Sequence, residues 1–403
     1  VGGVEKVIRD QAEGLLAAGL TVKVVAARGA QWNPGIPFAR VPEMDSLFEP
    51  ALEHQKGLIH GHSTLDQFEE LAIRLRDALE GAISDCDVAI VHNVMTMHKN
   101  LALVRAIRLL AKAERAPRLI IWTHDIAVLD HLYKDQIGRG YPWNLLWEPL
   151  EGATYVAVSH SRRQQLSAVT GLDAARIEVI PNGVDVAEVL QISEETLELL
   201  RQWELYGRRP LILMPTRITR RKRIELAIKA VHLLVPRFPD MALVVTGPPG
   251  PHNPASVSYA QELAELRFRL GLDRHVFFLQ AEGRQNRCSP LPVGTVYELM
   301  RWADAVLITS SHEGFGLPAV EAALLRTPLV TVGLDPIRST VGPYATYIRS
   351  SEHPDEAVAS ALLEVLESPQ CTVRQYLMGT FDRYAVISNK VLPLLERVLA
   401  EKV

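Results

Sequence analysis

Ten short runs of apolar, largely β-branched residues, separated by longer stretches of helical periodicity, constrain this chain most. The runs lie at 22–26, 88–92, 119–123, 155–159 and 177–181, and then at 211–214, 243–246, 276–279, 305–309 and 329–332. Most are continuously apolar rather than alternating, as strands covered on both faces of a parallel sheet must be. Between them, segments such as 4–18, 65–83, 223–235 and 259–270 repeat apolar residues at helical spacing. Strand–helix alternation of this kind predicts doubly wound α/β domains. A turn-forming cluster, Pro181-Asn182-Gly183-Val184-Asp185, follows the fifth run and divides the chain into halves of similar size, 1–184 and 185–384. A last helical stretch at about 385–403 is expected to pack back on the first half. No short-period repeat or low-complexity segment interrupts the pattern.

A length of 403 residues suits two or three domains. With 48% hydrophobic and 22% charged residues the composition is that of a globular enzyme. A net charge of −4 offers nucleic acid nothing. Cys86, Cys288 and Cys371 are scattered and form no CxxC or Cys/His cluster, so reduced thiols and a cytoplasmic setting are expected. No uncharged apolar run reaches the roughly 18 residues a membrane span needs, so membrane contact should be peripheral at most. The chain opens on Val1-Gly2-Gly3-Val4-Glu5-Lys6 rather than Met, which reads as the middle of a fold and suggests a missing or processed N-terminus.

The chemistry concentrates after the run at 305–309, in Ser310-Ser311-His312-Glu313-Gly314-Phe315-Gly316-Leu317-Pro318-Ala319-Val320-Glu321. A buried strand ends, a glycine-bearing loop follows, and Pro318 is expected at the first position of a helix, where its missing N–H matters least. The N-terminus of such a helix suits an anion such as pyrophosphate. Gly314 and Gly316 would let backbone approach a ligand. Glu313 in the loop and Glu321 in the expected first helical turn are odd neighbours for a phosphate, unless each accepts hydrogen bonds from sugar hydroxyls. The plain alternative is two solvated glutamates.

The spacing Glu313-x7-Glu321 around Gly-Phe-Gly-Leu-Pro resembles glycosyltransferase family 4 (group 1) of the GT-B fold, in which two Rossmann-like domains face a central cleft. The resemblance implies a retaining, metal-independent hexosyltransferase whose co-substrate is a nucleotide-diphosphate sugar. It implies that Glu313, Gly314, Phe315 and Gly316 contact the donor sugar, that Leu317 offers an amide to phosphate, and that Glu321 takes the ribose. In the turn after the run at 211–214, Arg217 and Lys222 match the family's pyrophosphate-gripping pair. Permanent positive charge is what a departing nucleoside diphosphate needs, with Arg able to fork two oxygens and Lys acting as a point charge. Arg220, Arg221 and Arg223 read as a solvated basic run. Gly2-Gly3-Val4 resembles the family's glycine turn after its first strand, with Gly3 near the donor phosphates, although the preceding strand is absent from the sequence. His124, which ends the run at 119–123, matches a family histidine near sugar and phosphate; its alternative is a structural histidine. The family's mechanism is front-face displacement assisted by the departing phosphate, which makes Glu313 a positioning group rather than a nucleophile. The donor could be a UDP- or GDP-sugar, and the acceptor a sugar, a small molecule or a lipid.

Other features point elsewhere. Asp85-Cys86-Asp87 spells a metal-binding DxD, but it precedes a strand and so lies on the wrong side of a sheet for a ligand. His54, His60, His62, His92 and His98 form no recognisable ligand spacing. The loop Gly247-Pro248-Pro249-Gly250-Pro251-His252-Asn253 is short of N–H donors and reads as framing. Trp122, Tyr133, Tyr141, Trp143 and Trp147 suit sugar stacking or an ordinary core. A sugar phosphorylase, an epimerase or a non-catalytic nucleotide- or partner-binding chain on the same fold are the rival readings. No complete GxGxxG supports a nicotinamide site.

Overall fold

Short runs with no polar face must be buried between two layers, and the chain puts them there. The structure, a computed structural model, describes residues 2–60, 62–113, 116–249, 254–280 and 291–400. Val1, Gly250, Pro251, His252, Asn253 and Cys288, named above, lie outside the described residues. The fold divides into two compact units, Val1–Val184 with Phe381–Val403, and Asp185–Thr380.

The first unit contains β1 (Val24–Ala26), β2 (Phe38–Arg40), β3 (Val88–His92), β4 (Arg118–Thr123), β5 (Thr154–Ala157) and β6 (Ile177–Val179). β3 to β6 form one parallel ladder in chain order, and β1 pairs in parallel with β2. Strand residues alternate between faces, as a period of two requires. Leu119 and Ile121 pack with Phe68, Leu71 and Leu75 of the helix Leu65–Ile83 and with Val104 and Ile107 of the helix Leu101–Leu110. Ile120 and Trp122 face the other way, onto Leu15 of the helix Gly3–Ala17 and onto Val391, Leu394, Leu395 and Val398. Local signals set the helix ends. Thr64 caps Leu65–Ile83 in a capping box with Gln67. Ser159 Oγ accepts from Arg162 N–H at 3.1 Å to start His160–Thr170, which stops at Gly171 with φ +73°.

The second unit contains β7 (Leu211–Met214), β8 (Ala242–Val245), β9 (Val276–Phe278), β10 (Ala305–Ile308), β11 (Leu329–Val332) and β12 (Thr346–Ile348). All are parallel, in the order β12-β11-β10-β7-β8-β9. β7, β8 and β10 are buried along their whole length. Ile212, Leu243, Val245 and Leu307 meet the helix Ile224–Leu234 on one face; Leu213, Val244 and Val306 meet Leu299 and Trp302 on the other. From β7 the chain builds outward to β9, then returns to place β10 on the opposite side of β7. Strand order therefore reverses between β7 and β10.

The three-residue strands β2 and β12 are absent from the sequence reading, because Phe-Ala-Arg and Thr-Tyr-Ile are too short and too mixed to show a pattern. Among the described residues no helix is long and apolar enough to cross a membrane.

Candidate active site

Neighbouring strands β7 and β10 register Ile212 against Ala305 and Leu213 against Val306. Their carboxyl ends flank the reversal of strand order, which is where an open α/β sheet has its ligand crevice. The two loops leaving this point are stitched together. Thr309 Oγ1 donates to Lys222 O at 2.7 Å and lies 3.1 Å from Arg223 O. Ser311 N–H donates to Arg221 O at 2.8 Å, and its hydroxyl donates to the same carbonyl at 3.2 Å. The carbonyls of the tight turn Arg220–Lys222 and of Arg223, at φ +49°, are thereby held by the opposite loop.

That stitching brings Lys222 onto Glu313. Lys222 Nζ donates to Glu313 Oε1, and Ser310 Oγ donates to the same oxygen at 2.6 Å. Arg221 Nη1 stands 3.6 Å from Oε2 and donates to His312 O at 3.3 Å. The side chains of Lys222 and Glu313 are only 11% and 9% exposed. Burial pushes the Glu313 carboxyl up, but the bonds from Lys222 and Ser310 and the charges of Lys222 and Arg221 outweigh it and hold the group below the ordinary glutamate range. Glu313 is thus an oriented, ionised acceptor.

Beyond Glu313 the backbone turns through Gly316 at φ +85°, where a Cβ would also stand 2.9 Å from Ile337 Cγ1. Gly314 has ordinary φ and open space around it, so nothing in its conformation requires glycine. The helix is Leu317–Leu324, so Leu317 and not Pro318 is its first residue, and Glu321 sits in the second turn rather than the first. Proline at the second position still removes only an N–H that would lack an intrahelical acceptor. The amides of Gly314, Phe315, Gly316 and Leu317 donate to no acceptor among the described residues. Phe315 and Leu317 side chains are largely exposed. Tyr297 OH donates to Glu321 Oε1 at 3.1 Å, and that bond raises the tyrosine's pKa.

Arg217 stands exposed in the turn after β7, making no ion pair or side-chain hydrogen bond with the described residues. The loop after β8 supports that turn. Gly247 N–H donates to Thr216 O at 2.9 Å, and Ile218 N–H donates to Pro248 O at 3.0 Å. A Cβ on Gly247 would stand 2.7 Å from Arg217 Cα.

In the first unit, Gly2 caps the helix Gly3–Ala17 with Glu5 Oε2 accepting its N–H at 2.7 Å, and Gly3 is the first helical residue. His124 lies just past β4 and is buried. Its N–H donates to Asn93 Oδ1 at 3.2 Å, and its Nε2 lies 3.3 Å from His92 Nδ1. Burial lowers the pKa of both rings, that of His92 to about 3.

The two family matches divide the chain between them. "Glycosyltransferase Family 4" matches residues 1–188, and "Glycosyl transferases group 1" matches residues 196–377. The chain belongs to the group 1, family 4 glycosyltransferases. This is the GT-B class of α/β protein.

Among relatives of this family 4 chain, the D-inositol 3-phosphate glycosyltransferase of Nocardia farcinica is 27% identical over 53% of this chain and 44% of its own length. The glycogen synthase of Mycobacterium tuberculosis is 26% identical over 64% of this chain and 60% of its own. The chain spans about half the length of the curated relatives it matches first, at 44%, 52% and 48%. A solved glycosyltransferase from Rickettsia africae is 16% identical, covers 100% of this chain and 96% of its own, and superposes with a TM-score of 0.39.

Of the residues singled out from the sequence, this family 4 chain brings Lys222 and Glu313 into contact, with Glu321 further along the same loop and helix. Gly3 and His124 belong to the other unit. Arg221 is a correction: it approaches Glu313 instead of standing with Arg220, which pairs with Glu262 and stacks over Tyr259. Trp122 and Trp143 are core residues with no face for a sugar. Asp85, at the amino end of β3, pairs with Lys23. No cluster of three or more metal-ligating side chains occurs among the described residues. The sequence reading missed Ser310, Tyr297 and Asn93. A serine three residues before a loop glutamate was a usable signal for the first; the others depend on elements far apart in sequence.

Proposed function

We propose that this chain carries the catalytic machinery of a retaining, metal-independent glycosyltransferase, moving a hexose from a UDP- or GDP-sugar to a sugar, small-molecule or lipid acceptor. The observation that carries the reading is the buried Lys222–Glu313–Ser310 cluster beside four free amides at the reversal of strand order. The amides of Gly314, Phe315 and Gly316 would contact the donor sugar, and the Leu317 amide with the cations Arg217 and Lys222 would take the pyrophosphate. Glu313 would accept from donor-sugar hydroxyls, and Glu321, oriented by Tyr297, from the ribose. His124 would contact the sugar or phosphate of the donor.

In the reaction the bond from the anomeric carbon to the β-phosphate oxygen breaks, while the acceptor hydroxyl oxygen bonds to that carbon on the same face. The acceptor proton passes to the departing phosphate, so no protein nucleophile is needed. The attachment of Glu313 to Lys222 and Ser310 favours a positioning role for it. Arg217, Lys222 and Arg221 supply fixed positive charge where the leaving group develops its own, which is the basis for proposing that no metal is required. The relatives' names, a D-inositol 3-phosphate glycosyltransferase and a glycogen synthase, favour a sugar or small-molecule acceptor. The composition favours a cytoplasmic setting.

A thermal-shift panel of UDP, GDP, ADP and their sugar conjugates, with and without EDTA, tests the reading. A ligand that binds only folded protein raises Tm by mass action, about 2.7 kcal/mol of stabilisation at one hundred times Kd. One base should give a clear shift that survives EDTA. No shift with any nucleotide would remove the donor site, and a shift abolished by EDTA would remove metal independence. In the same assay Glu321→Ala should lose affinity for the nucleotide, and Lys222→Ala should retain most of it while turnover falls by about 10²-fold or more, as loss of a leaving-group contact does.

A further inference from the structure

The carboxyl edge of the β3–β4 pair holds a two-histidine arrangement that the proposed reaction leaves unexplained. In the ladder, His92 lies opposite Trp122. Asn93, at φ +53°, carries the pairing one residue further by donating its N–H to Trp122 O at 2.8 Å. The Asn93 side chain then accepts from the backbone of His124 at 3.2 Å and of Asp125 at 2.8 Å. The main chain at His124 is therefore fixed from β3. Its ring is fixed from β3 as well. His92 stacks on Trp122, with ring centroids 5.4 Å apart and planes at 30°, and presents Nδ1 to Nε2 of His124 at 3.3 Å. Burial keeps both rings neutral at ordinary pH.

Two neutral imidazoles in this contact share one proton between the facing nitrogens. Whichever ring carries it, Nε2 of His124 is occupied, and Nδ1 is the ring nitrogen left for a ligand. We propose that His92 is a positioning residue: its Nδ1–H donates to His124 Nε2, which fixes the proton of His124 on Nδ1 and turns that ring into a hydrogen-bond donor toward an oxygen of the bound sugar or phosphate. The final clause rests on the reading of His124 as a donor-contacting group. A phosphate or sugar oxygen accepts well from Nδ1–H, whereas the opposite tautomer would face it with a bare nitrogen.

The test combines ring-nitrogen NMR with kinetics on the full chain. Long-range 15N–1H spectra, with the His124 signals assigned by their loss in His124→Ala, should show one neutral tautomer protonated at Nδ1. His92→Phe keeps the stacking but removes the nitrogen. It should give a mixture containing the Nε2–H form and lower kcat by about tenfold, the low end for losing a ring-orienting partner, with nucleotide Kd unchanged. His92→Asn, whose carboxamide nitrogen can stand in for Nδ1–H, should restore the single tautomer and most of the turnover. A wild-type His124 protonated at Nε2, or identical His124 spectra in His92→Phe, overturns the proposal. Full activity in His124→Ala would instead sink the donor-contact reading, and the spectra would still decide the role of His92.

Discussion

Lys222 and Glu313 neutralise one another, so a ligand approaching this point meets charges already oriented. Both are nearly buried, and removing one partner leaves the other with an unmatched charge. Glu313→Gln should therefore lower the stability of the second unit by roughly 1–3 kcal/mol at pH 7. Its pH dependence follows from the depressed carboxyl. A group held below its unfolded value contributes fully above that value, about 4.3 for glutamate, and loses the contribution as pH falls through the lower folded value. The stability difference between wild type and Glu313→Gln should be constant from pH 6 to 8 and disappear under acid, as urea titrations at several pH values would show. A difference that grew on acidification would contradict the pairing. Ser310→Ala, which removes one hydroxyl from the same oxygen, should act in the same direction by about 1 kcal/mol.

Two glycines at the scale of loops decide whether the turns that carry those residues can form. Gly247 has ordinary φ but no room, since a Cβ would press on backbone at Thr216 and Arg217. Gly316 is at φ +85° and also faces Ile337. Gly247→Ala should displace the Arg217 turn and weaken nucleotide binding more than it lowers Tm, because the strained contact is with that turn. Gly316→Ala should cost about 1–2 kcal/mol from the left-handed backbone alone and distort the free amides. Isothermal titration beside thermal melts separates the two effects. The elements themselves were largely legible: 211–214, 305–309 and 65–83 announce strand or helix through continuous or periodic apolarity that only one environment satisfies. The spacing from Glu313 to Glu321 and the charge of Lys222 marked the loops. What joins them was not legible. Thr309 bonding to Lys222 O, or Ser311 to Arg221 O, depends on β7 and β10 being neighbours, a property of strand order and not of either segment. His92 meets His124 for the same reason, through a register between strands that no local pattern encodes.

For the whole molecule, the first unit is made of two pieces of chain. Val184 N–H donates to Phe381 O at 2.7 Å and Arg383 N–H donates to Val184 O at 3.0 Å, so the outgoing and returning segments are tied side by side. Arg383 then reaches Asp10 at 3.3 Å and Glu13 at 3.4 Å. Val386, Ile387, Val391, Leu394, Leu395 and Val398 complete a face of the sheet. Each such side chain is worth about 1.5–3 kcal/mol when buried, against a total domain stability of about 5–15 kcal/mol. Ending the chain at Thr380 should therefore unfold the first unit, whereas residues 185–380 alone should fold. Near-identical amide protection in the isolated fragment 185–380 and in the full chain would confirm its independence; a molten fragment would refute it.

This discontinuity also sets a timetable for synthesis on the ribosome. Domains ordinarily complete themselves in the order their residues emerge, at about 5–20 residues per second. Here the segment before residue 185 must wait for the part translated after residue 380, while residues 185–380 can close as soon as they leave the exit tunnel. At that rate the nascent first unit spends roughly ten seconds or more with the Ile120 and Trp122 face of its sheet only partly covered, by Leu15 and its neighbours, a window in which a chaperone, or aggregation, has its opportunity.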